Sequence, residues 1–239
     1  MAVSREQSDA PVASEVAVRG LIDVTGRWRY RLLRIVLIPI VRLLFRIEVR
    51  GRTNIPAQGG YIIAASHHNW LDAPLILMAF PIAPRLNFVA DSTFVTESRL
   101  KWFLIRQVGG VLPLVAHGHG AASVSSVVRT CLARGGVVGF FPEGRYDDTE
   151  AGLLRLHRGF AKAAIETGAS VVPVAIAGTK ELWLRKRVEV VIGKPIRPEG
   201  HSLDTLAAAT GRAIEAATPA PVEPRGPRLL RRWLSGLFG

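Results

Sequence analysis

The chain has 239 residues, of which 49% are hydrophobic, and its formal net charge is +12. This length is sufficient for one domain with a buried core, and the apolar content excludes a chain that is disordered throughout. The excess of positive charge indicates an anionic partner, such as a lipid surface, a phosphorylated substrate or nucleic acid.

Residues 1–20 are predicted to form a disordered tail. They mix acidic with small polar residues and contain no apolar stretch of the kind that a secretory signal requires. No run of 18 or more uninterrupted apolar residues occurs in the sequence, so no transmembrane helix is predicted. Cys131 is the single cysteine, which excludes an intramolecular disulfide and a thiolate metal site.

Residues 21–50 are predicted to form an amphipathic, membrane-associating helical segment. At about 100° per residue, its arginines share one narrow arc, and Leu, Ile, Val and Phe fill the rest of the circumference. A wide apolar face beside a basic stripe is typical of a helix that lies in a membrane interface. Pro39 is expected to bend or split this helix. The alternative is a helix that packs on the core. The arginines are Arg27, Arg31, Arg34, Arg42 and Arg46.

Residues 51–217 are predicted to form one α/β domain with a mixed or largely parallel central sheet. Short apolar runs alternate there with segments of helical periodicity, which is the pattern of such a fold. The predicted strands are 61–66, 85–90, 110–115, 136–141, 171–176 and 188–193. The predicted helices lie near 72–79, 97–107, 120–134, 157–168 and 203–217.

Residues 218–239 are predicted to form a Pro-rich linker followed by an amphipathic basic tail. On a helical wheel, the apolar residues of 228–239 occupy one half and the arginines the other. A segment of this length is marginal as an isolated helix in water, so it is expected to fold on a surface. That surface is either a membrane or the protein's own domain. The apolar residues are Leu229, Leu230, Trp233, Leu234, Leu237 and Phe238.

The first candidate for chemistry is the segment from Ser66 to Asp72, which directly follows the strand 61–66. Ligands of α/β sheets gather at the carboxyl ends of strands, where His67 falls. A strand-to-helix turn capped by Asn69 would let His67 and Asp72 meet. An imidazole held by a carboxylate keeps one tautomer and presents its other nitrogen as a base. The alternative is a surface histidine beside a helix-capping aspartate.

The second candidate is the segment Phe140–Arg145, which also ends an apolar strand. Pro142 and Gly144 around an acid predict a tight turn, whose backbone donors and Arg145 can face a phosphate or carboxylate. An ordinary strand-ending turn is the alternative interpretation.

The two motifs in this order resemble the lysophospholipid and glycerophosphate acyltransferase family over roughly residues 50–200. Gly159 at the start of a helix and Pro173 in the next strand add to the likeness. The resemblance implies transfer of a fatty acyl group from acyl-CoA or acyl carrier protein to a hydroxyl of a lysophospholipid-like acceptor. It implies a place in phospholipid biosynthesis, with no metal and no cofactor beyond the acyl co-substrate.

The resemblance also implies a role for each residue of the two motifs. His67 would take the proton from the acceptor hydroxyl as that oxygen attacks the thioester. Asp72 would hold His67 and stabilise the imidazolium that forms. Glu143, Gly144 and Arg145 would position the acceptor head group.

One departure from the family pattern concerns the acceptor. Members that use glycerol phosphates usually have a Gly-x-x-x-x-x-Arg segment whose Arg meets the phosphate, and here Val115 stands at that place. Arg99, Lys101 and Arg106 are candidates to replace it. The acceptor therefore stays open between lysophosphatidic acid and a glycolipid, an aminolipid or another hydroxylated lipid.

Two other function classes stay open. One is a thioesterase that uses the same pair of residues with water as acceptor, and the other is a non-enzymatic basic protein that binds anionic membranes. Nucleic acid is disfavoured as a partner because the basic residues interleave with aliphatic residues and not with base-stacking aromatics. His117 and His119 lack a nearby carboxylate or cysteine, so no metal site is predicted. The expected location is the cytoplasmic face of the cell membrane, as a peripheral or monotopic protein.

Overall fold

The computed structural model describes residues 28–58, 60–91, 110–114, 120–143, 156–220 and 227–238. Within these ranges, a seven-stranded sheet carries helices on both faces. The strands are β1 (Arg46–Arg50), β2 (Tyr61–Ala65), β3 (Leu86–Asp91), β4 (Gly110–Leu114), β5 (Val137–Phe140), β6 (Val171–Ala177) and β7 (Arg187–Ile192). The helices are α1 (Trp28–Leu44), α2 (Asp72–Ala79), α3 (Gly120–Ala133), α4 (Gly159–Thr167), α5 (Leu203–Ala217) and α6 (Arg231–Phe238).

The sheet has the strand order β1-β7-β6-β2-β5-β3-β4. The five strands from β6 to β4 run parallel to one another, whereas β7 is antiparallel to β6 and β1 is parallel to β7. The prediction of a single α/β domain with a mixed, largely parallel sheet is therefore confirmed.

The central strand β2 separates two buried apolar clusters. Its five residues are all buried, as expected for a strand covered on both faces, which reads as a continuous apolar run. Ile63 points into the cluster shared with α1, α2 and α6, and Ile62 and Ala64 point into the cluster shared with α3, α4 and α5. The alternation of side chains along a strand thus divides the core into two layers.

Strand β1 corrects the helical prediction for residues 46–50. Ile47 and Val49 alternate there with charged residues, and this period of two fits an edge strand. The carboxylate of Glu48 pairs with Arg187 across the junction to β7, at 2.6 Å. The sheet therefore begins at Arg46, and the helical segment ends at Leu44.

Helix α1 packs on the domain through one face and exposes apolar residues on the other. It is continuous through Pro39, so of the two predicted effects of this proline, a bend or a split, the split does not occur. Arg34 does not lie on a solvated stripe: it is 6% exposed and donates to the carbonyls of Phe80 and Pro81. A guanidinium is favourable there because these carbonyls directly follow the end of α2, beyond its ladder of helical hydrogen bonds. The exposed apolar residues are Trp28, Leu32, Ile35, Val36, Ile40 and Leu43.

Helix α6 docks on the domain that it follows. Leu234 is fully buried in the cluster with α1, and the Ser235 hydroxyl accepts the amide hydrogen of Leu182 at 3.1 Å. Arg231 forms an ion pair with Glu181 at 2.7 Å. The side of the tail that faces away from the domain stays apolar, with Leu229, Leu230, Trp233 and Leu237 exposed.

Several predictions fall on residues outside the described ranges. These are the tail 1–20, the helix near 97–107 and part of the linker. Within the described residues, no helix has the length and apolar character needed to cross a membrane. The predicted contact of both terminal helices with a membrane interface stays a prediction.

Substituting Ile63 tests the assignment of the core. Ile63→Ala removes a fully buried side chain from the cluster between the sheet and α1, α2 and α6, and it should lower the free energy of unfolding by about 2–5 kcal/mol. Ile165→Ala is the matched control because Ile165 is 39% exposed on α4, and its effect should stay within about 0.5 kcal/mol. Denaturant unfolding measures both. Equal effects of the two substitutions would contradict the central position of β2.

Candidate active site

Three neighbouring parallel strands end at the same edge of the sheet. Strand β2 lies between β6 and β5, with Ala65 opposite Val174 and Ala64 opposite Phe140. The chain segments that leave these strands therefore meet, and they carry His67, Glu143 and Thr179. This is the edge at which α/β sheets bind ligands.

A buried carboxylate holds the histidine of the first motif. Asp72 is 0% exposed, and its Oδ2 lies 3.1 Å from Nδ1 of His67. The same oxygen accepts two backbone N–H groups, so it acts as an acceptor here and Nδ1 is the donor of this hydrogen bond. The structure thus brings together the two residues that lie five positions apart in the sequence.

The same carboxylate oxygen also organises the turn before α2. Oδ2 accepts the amide hydrogens of His68 and Asn69, at 2.5 Å and 2.8 Å. Asp72 is the first residue of α2, where a negative charge also interacts favourably with the helix dipole. Its second oxygen, Oδ1, is buried and has no hydrogen-bond partner among the described residues.

Asn69 is not the helix cap that its position suggests, because α2 begins only at Asp72 and has no side-chain cap. Its Oδ1 accepts the amide hydrogen of Leu71 at 2.9 Å, which closes a turn of the kind that Asn side chains favour. Its Nδ2 donates to the carbonyl of Thr179, just beyond β6. Asn69 therefore ties the histidine turn to the neighbouring strand.

An aromatic stack supports the ring of His67 from the side of β5. Phe141 lies 4.0 Å from the imidazole, centroid to centroid, and Phe88 lies 5.5 Å from Phe141. Gly139 makes room for Phe88, because a Cβ at this position would come within 2.8 Å of that ring. The side chain of His67 is 25% exposed, so the imidazole is restrained without being sealed off.

Glu143 of the second motif contacts the backbone of the first. Its Oε2 accepts the amide hydrogen of His67 at 3.3 Å. Burial raises the pKa of Glu143, and the amide of His67 and the charge of Lys180 partly offset this effect. The carboxylate thus helps to hold the turn in addition to facing the site. Gly144 and Arg145, predicted beside it, lie outside the described residues.

His68 stands beside the site on the other side of the turn. Its Nδ1 lies 3.4 Å from the hydroxyl of Thr179. Burial lowers the pKa of His68, the charge of Asp72 partly offsets this, and the charge of Lys180 lowers it further. The neutral imidazole is therefore favoured, which suits a residue that shapes the turn.

Within the described ranges, no group of three His, Cys, Asp or Glu side chains could hold a metal ion. His117 and His119 lie outside these ranges. At the strand ends, the hydrogen-bond donors surround the carboxylate of Asp72, and that carboxylate holds the imidazole of His67. Such a pair is suited to proton transfer. With Nδ1 donating to Asp72, the proton acceptor of the ring is Nε2.

Sequence reasoning missed three contributors to this site. Thr179 and Lys180 follow β6, and only the order of the strands brings them to His68 and Glu143. Phe88 supports the stack from β3, which is likewise a neighbour of β5 in space but not in sequence. Gly178, directly after β6, was the one sequence signal of the turn that carries Thr179 and Lys180. The structure requires glycine there because a Cβ would come within 2.6 Å of the carbonyl oxygen of Arg187.

Several known proteins share sequence with this chain. The profile of the Acyltransferase family matches residues 46–177. Over 185 residues, the chain is 26% identical to 1-acyl-sn-glycerol-3-phosphate acyltransferase of Bacillus subtilis, with 76% of this chain and 87% of that protein covered. It is 31% identical over 146 residues to an uncharacterized protein of Mycobacterium leprae, which covers 58% of this chain and 38% of that protein.

A solved structure shares the fold. The crystal structure of PlsC, the 1-acyl-sn-glycerophosphate (LPA) acyltransferase from Thermotoga maritima, superposes with a TM-score of 0.60 and 23% identity. The match covers 85% of this chain and 86% of that chain. The shared architecture therefore extends well beyond the motif segments.

Replacing the buried carboxylate should cost stability in addition to any effect on the site. In Asp72→Asn, an amide group would face the three donors, so we expect a loss of about 2 kcal/mol or more in the free energy of unfolding. Asp204→Asn is the matched control, because Asp204 also lies in a first helical turn but is exposed and pairs with Arg158. That loss should be about 0–1 kcal/mol by chemical denaturation. Losses of equal size would contradict the structural role of Asp72.

Proposed function

The chain belongs to the acyltransferase family, and we propose that it transfers a fatty acyl group from an acyl thioester to a hydroxyl of a lysophospholipid-like acceptor. The observation that carries this proposal is the contact of His67 Nδ1 with the buried Asp72 carboxylate. A general base fixed in one tautomer is what an alcohol acceptor requires, because a neutral hydroxyl is a weak nucleophile.

The reaction is proposed to proceed by direct attack. Nε2 of His67 takes the hydroxyl proton as the acceptor oxygen bonds to the thioester carbonyl carbon. The tetrahedral intermediate then expels the thiolate, which receives the proton back from the imidazolium. Asp72 stabilises the imidazolium while it exists, and no acyl-enzyme forms.

The acceptor is proposed to be of the 1-acylglycerol-3-phosphate type. The names of the relatives from Bacillus subtilis and Thermotoga maritima support this class, which implies a role in phospholipid biosynthesis. Either acyl-CoA or acyl carrier protein would serve as donor, since both present the same thioester. Glu143, Gly144 and Arg145 are proposed to position the acceptor head group, and no further cofactor is required.

The apolar surface formed by α1 and α6 is proposed to bind an anionic membrane. Both helices keep large apolar side chains exposed beside arginines, which is the pattern of an interfacial helix. Residues 184 and 185 bridge the two helices: the amide of Leu184 donates to the carbonyl of Leu229, just before α6, and the amide of Arg185 donates to that of Leu44, at the end of α1. A peripheral or monotopic position at the cytoplasmic membrane face would give the site access to a lipid acceptor.

Removing the imidazole tests the proposed reaction. His67→Ala should lower acyl transfer from labelled palmitoyl-CoA to lysophosphatidic acid by about 10³-fold, within the range for loss of a general base. His201→Ala is the matched control, because His201 lies just before α5 and away from the strand ends that carry His67. A second donor, palmitoyl carrier protein, and a panel of neutral and amino lipid acceptors complete the assay.

The outcomes separate the alternatives. Labelled lipid product that depends on His67 supports the acyltransferase. Labelled free fatty acid that no acceptor stimulates would instead identify a thioesterase. Near-normal transfer by His67→Ala would contradict the assignment of the base. Absence of turnover with every donor and acceptor would favour the non-enzymatic membrane-binding protein.

Substitutions on the exposed side of α6 test the membrane surface without uncovering the core. The double substitution Trp233→Ser and Leu237→Ser should weaken sedimentation with anionic vesicles about tenfold or more. Leu203→Ser is the control, since Leu203 is exposed on α5 at the opposite face of the sheet. Unchanged binding by the double variant would show that α6 serves only to pack on the domain.

A further inference from the structure

Lys180 lies at the edge of the site that β6 contributes. The preceding residue, Thr179, is fully buried, and its carbonyl accepts the side-chain amide of Asn69. The Thr179 hydroxyl lies 3.4 Å from Nδ1 of His68. The backbone at residue 179 is therefore fixed against the histidine turn. The next residue, Lys180, is exposed.

The charge of Lys180 reaches the site. It lowers the pKa of Glu143, against the larger effect of burial, and it lowers the pKa of His68. Among the described residues, no other lysine or arginine affects the pKa of either group. No carboxylate within the described ranges lies at ion-pair distance from Lys180. A substrate anion at this edge would therefore meet an available ammonium group.

We propose that Lys180 binds the phosphate of the lipid acceptor. This inference rests on the proposed function and names the residue that would recognise the acceptor's charge. A lysine ammonium serves phosphate as a compact point charge with three donors. It would supply the cation that the sequence lacks at Val115, where the resemblance leads one to expect arginine.

The covalent structure of the two substrates favours the acceptor over the donor as the source of this phosphate. In a 1-acylglycerol-3-phosphate, the phosphate is attached to the carbon next to the one that bears the reacting hydroxyl. In acyl-CoA and acyl carrier protein, the nearest phosphate lies beyond the whole pantetheine arm from the thioester. Lys180 directly follows Thr179, which contacts the turn that holds His67. We therefore infer that the phosphate within reach of Lys180 is the one close to the reacting oxygen.

The test compares two acceptors that differ only in the phosphate, lysophosphatidic acid and neutral 1-acylglycerol. In Lys180→Gln, the KM for lysophosphatidic acid should rise about tenfold or more, as expected for loss of one charge-assisted hydrogen bond. The KM for 1-acylglycerol and for palmitoyl-CoA should change less than about twofold. Lys180→Arg should restore most of the loss. Lys194→Gln, an exposed lysine after β7, is the matched control.

Each of the following results would overturn the inference. An unchanged KM for lysophosphatidic acid in Lys180→Gln would show that Lys180 does not bind the acceptor phosphate. An equal rise for both acceptors assigns Lys180 a structural role, as would a lowered midpoint of thermal unfolding. A rise confined to palmitoyl-CoA assigns the phosphate to the donor. If the wild type acylates no lipid, the proposed function itself fails, whereas normal wild-type transfer with an unaffected variant refutes this inference alone.

Discussion

The buried carboxylate of Asp72 is the group on which the geometry of the site depends. One of its oxygens accepts three N–H groups, from the ring of His67 and from the amides of His68 and Asn69. A fully buried carboxyl group is stable in a protein only where hydrogen-bond donors of this kind surround it. The same interaction therefore shapes the strand-to-helix turn and fixes the tautomer of the imidazole.

The segment after β6 connects this site with the two terminal helices. Thr179 contacts the histidine turn, Glu181 pairs with Arg228 and Arg231, and Arg185 donates to carbonyls at the end of α1. A single stretch of chain thus contacts the candidate active site at one end and the apolar surface at the other. For an enzyme with a lipid acceptor, this continuity would place the base close to the surface from which the acceptor arrives.

Local patterns in the sequence were sufficient for much of the fold and for the central pair of residues. The apolar run at 61–66 predicted β2. The position of His67 directly after that run predicted that His67 lies at the carboxyl ends of the strands. Strand β1 was missed because its alternating residues continue the arginine spacing of α1. Thr179 and Lys180 were missed because pairing between β6 and β2 joins residues about a hundred positions apart, which no local pattern reveals.

Asp72 is proposed to keep His67 in the tautomer that makes Nε2 the base. The most direct test is ¹⁵N NMR of histidine-labelled protein at neutral pH, with His67 assigned by comparison with His67→Ala. We expect a protonated Nδ1 and an unprotonated Nε2 for the neutral ring of His67. A proton on Nε2, or an equal mixture of the two tautomers as in a free imidazole, would contradict it.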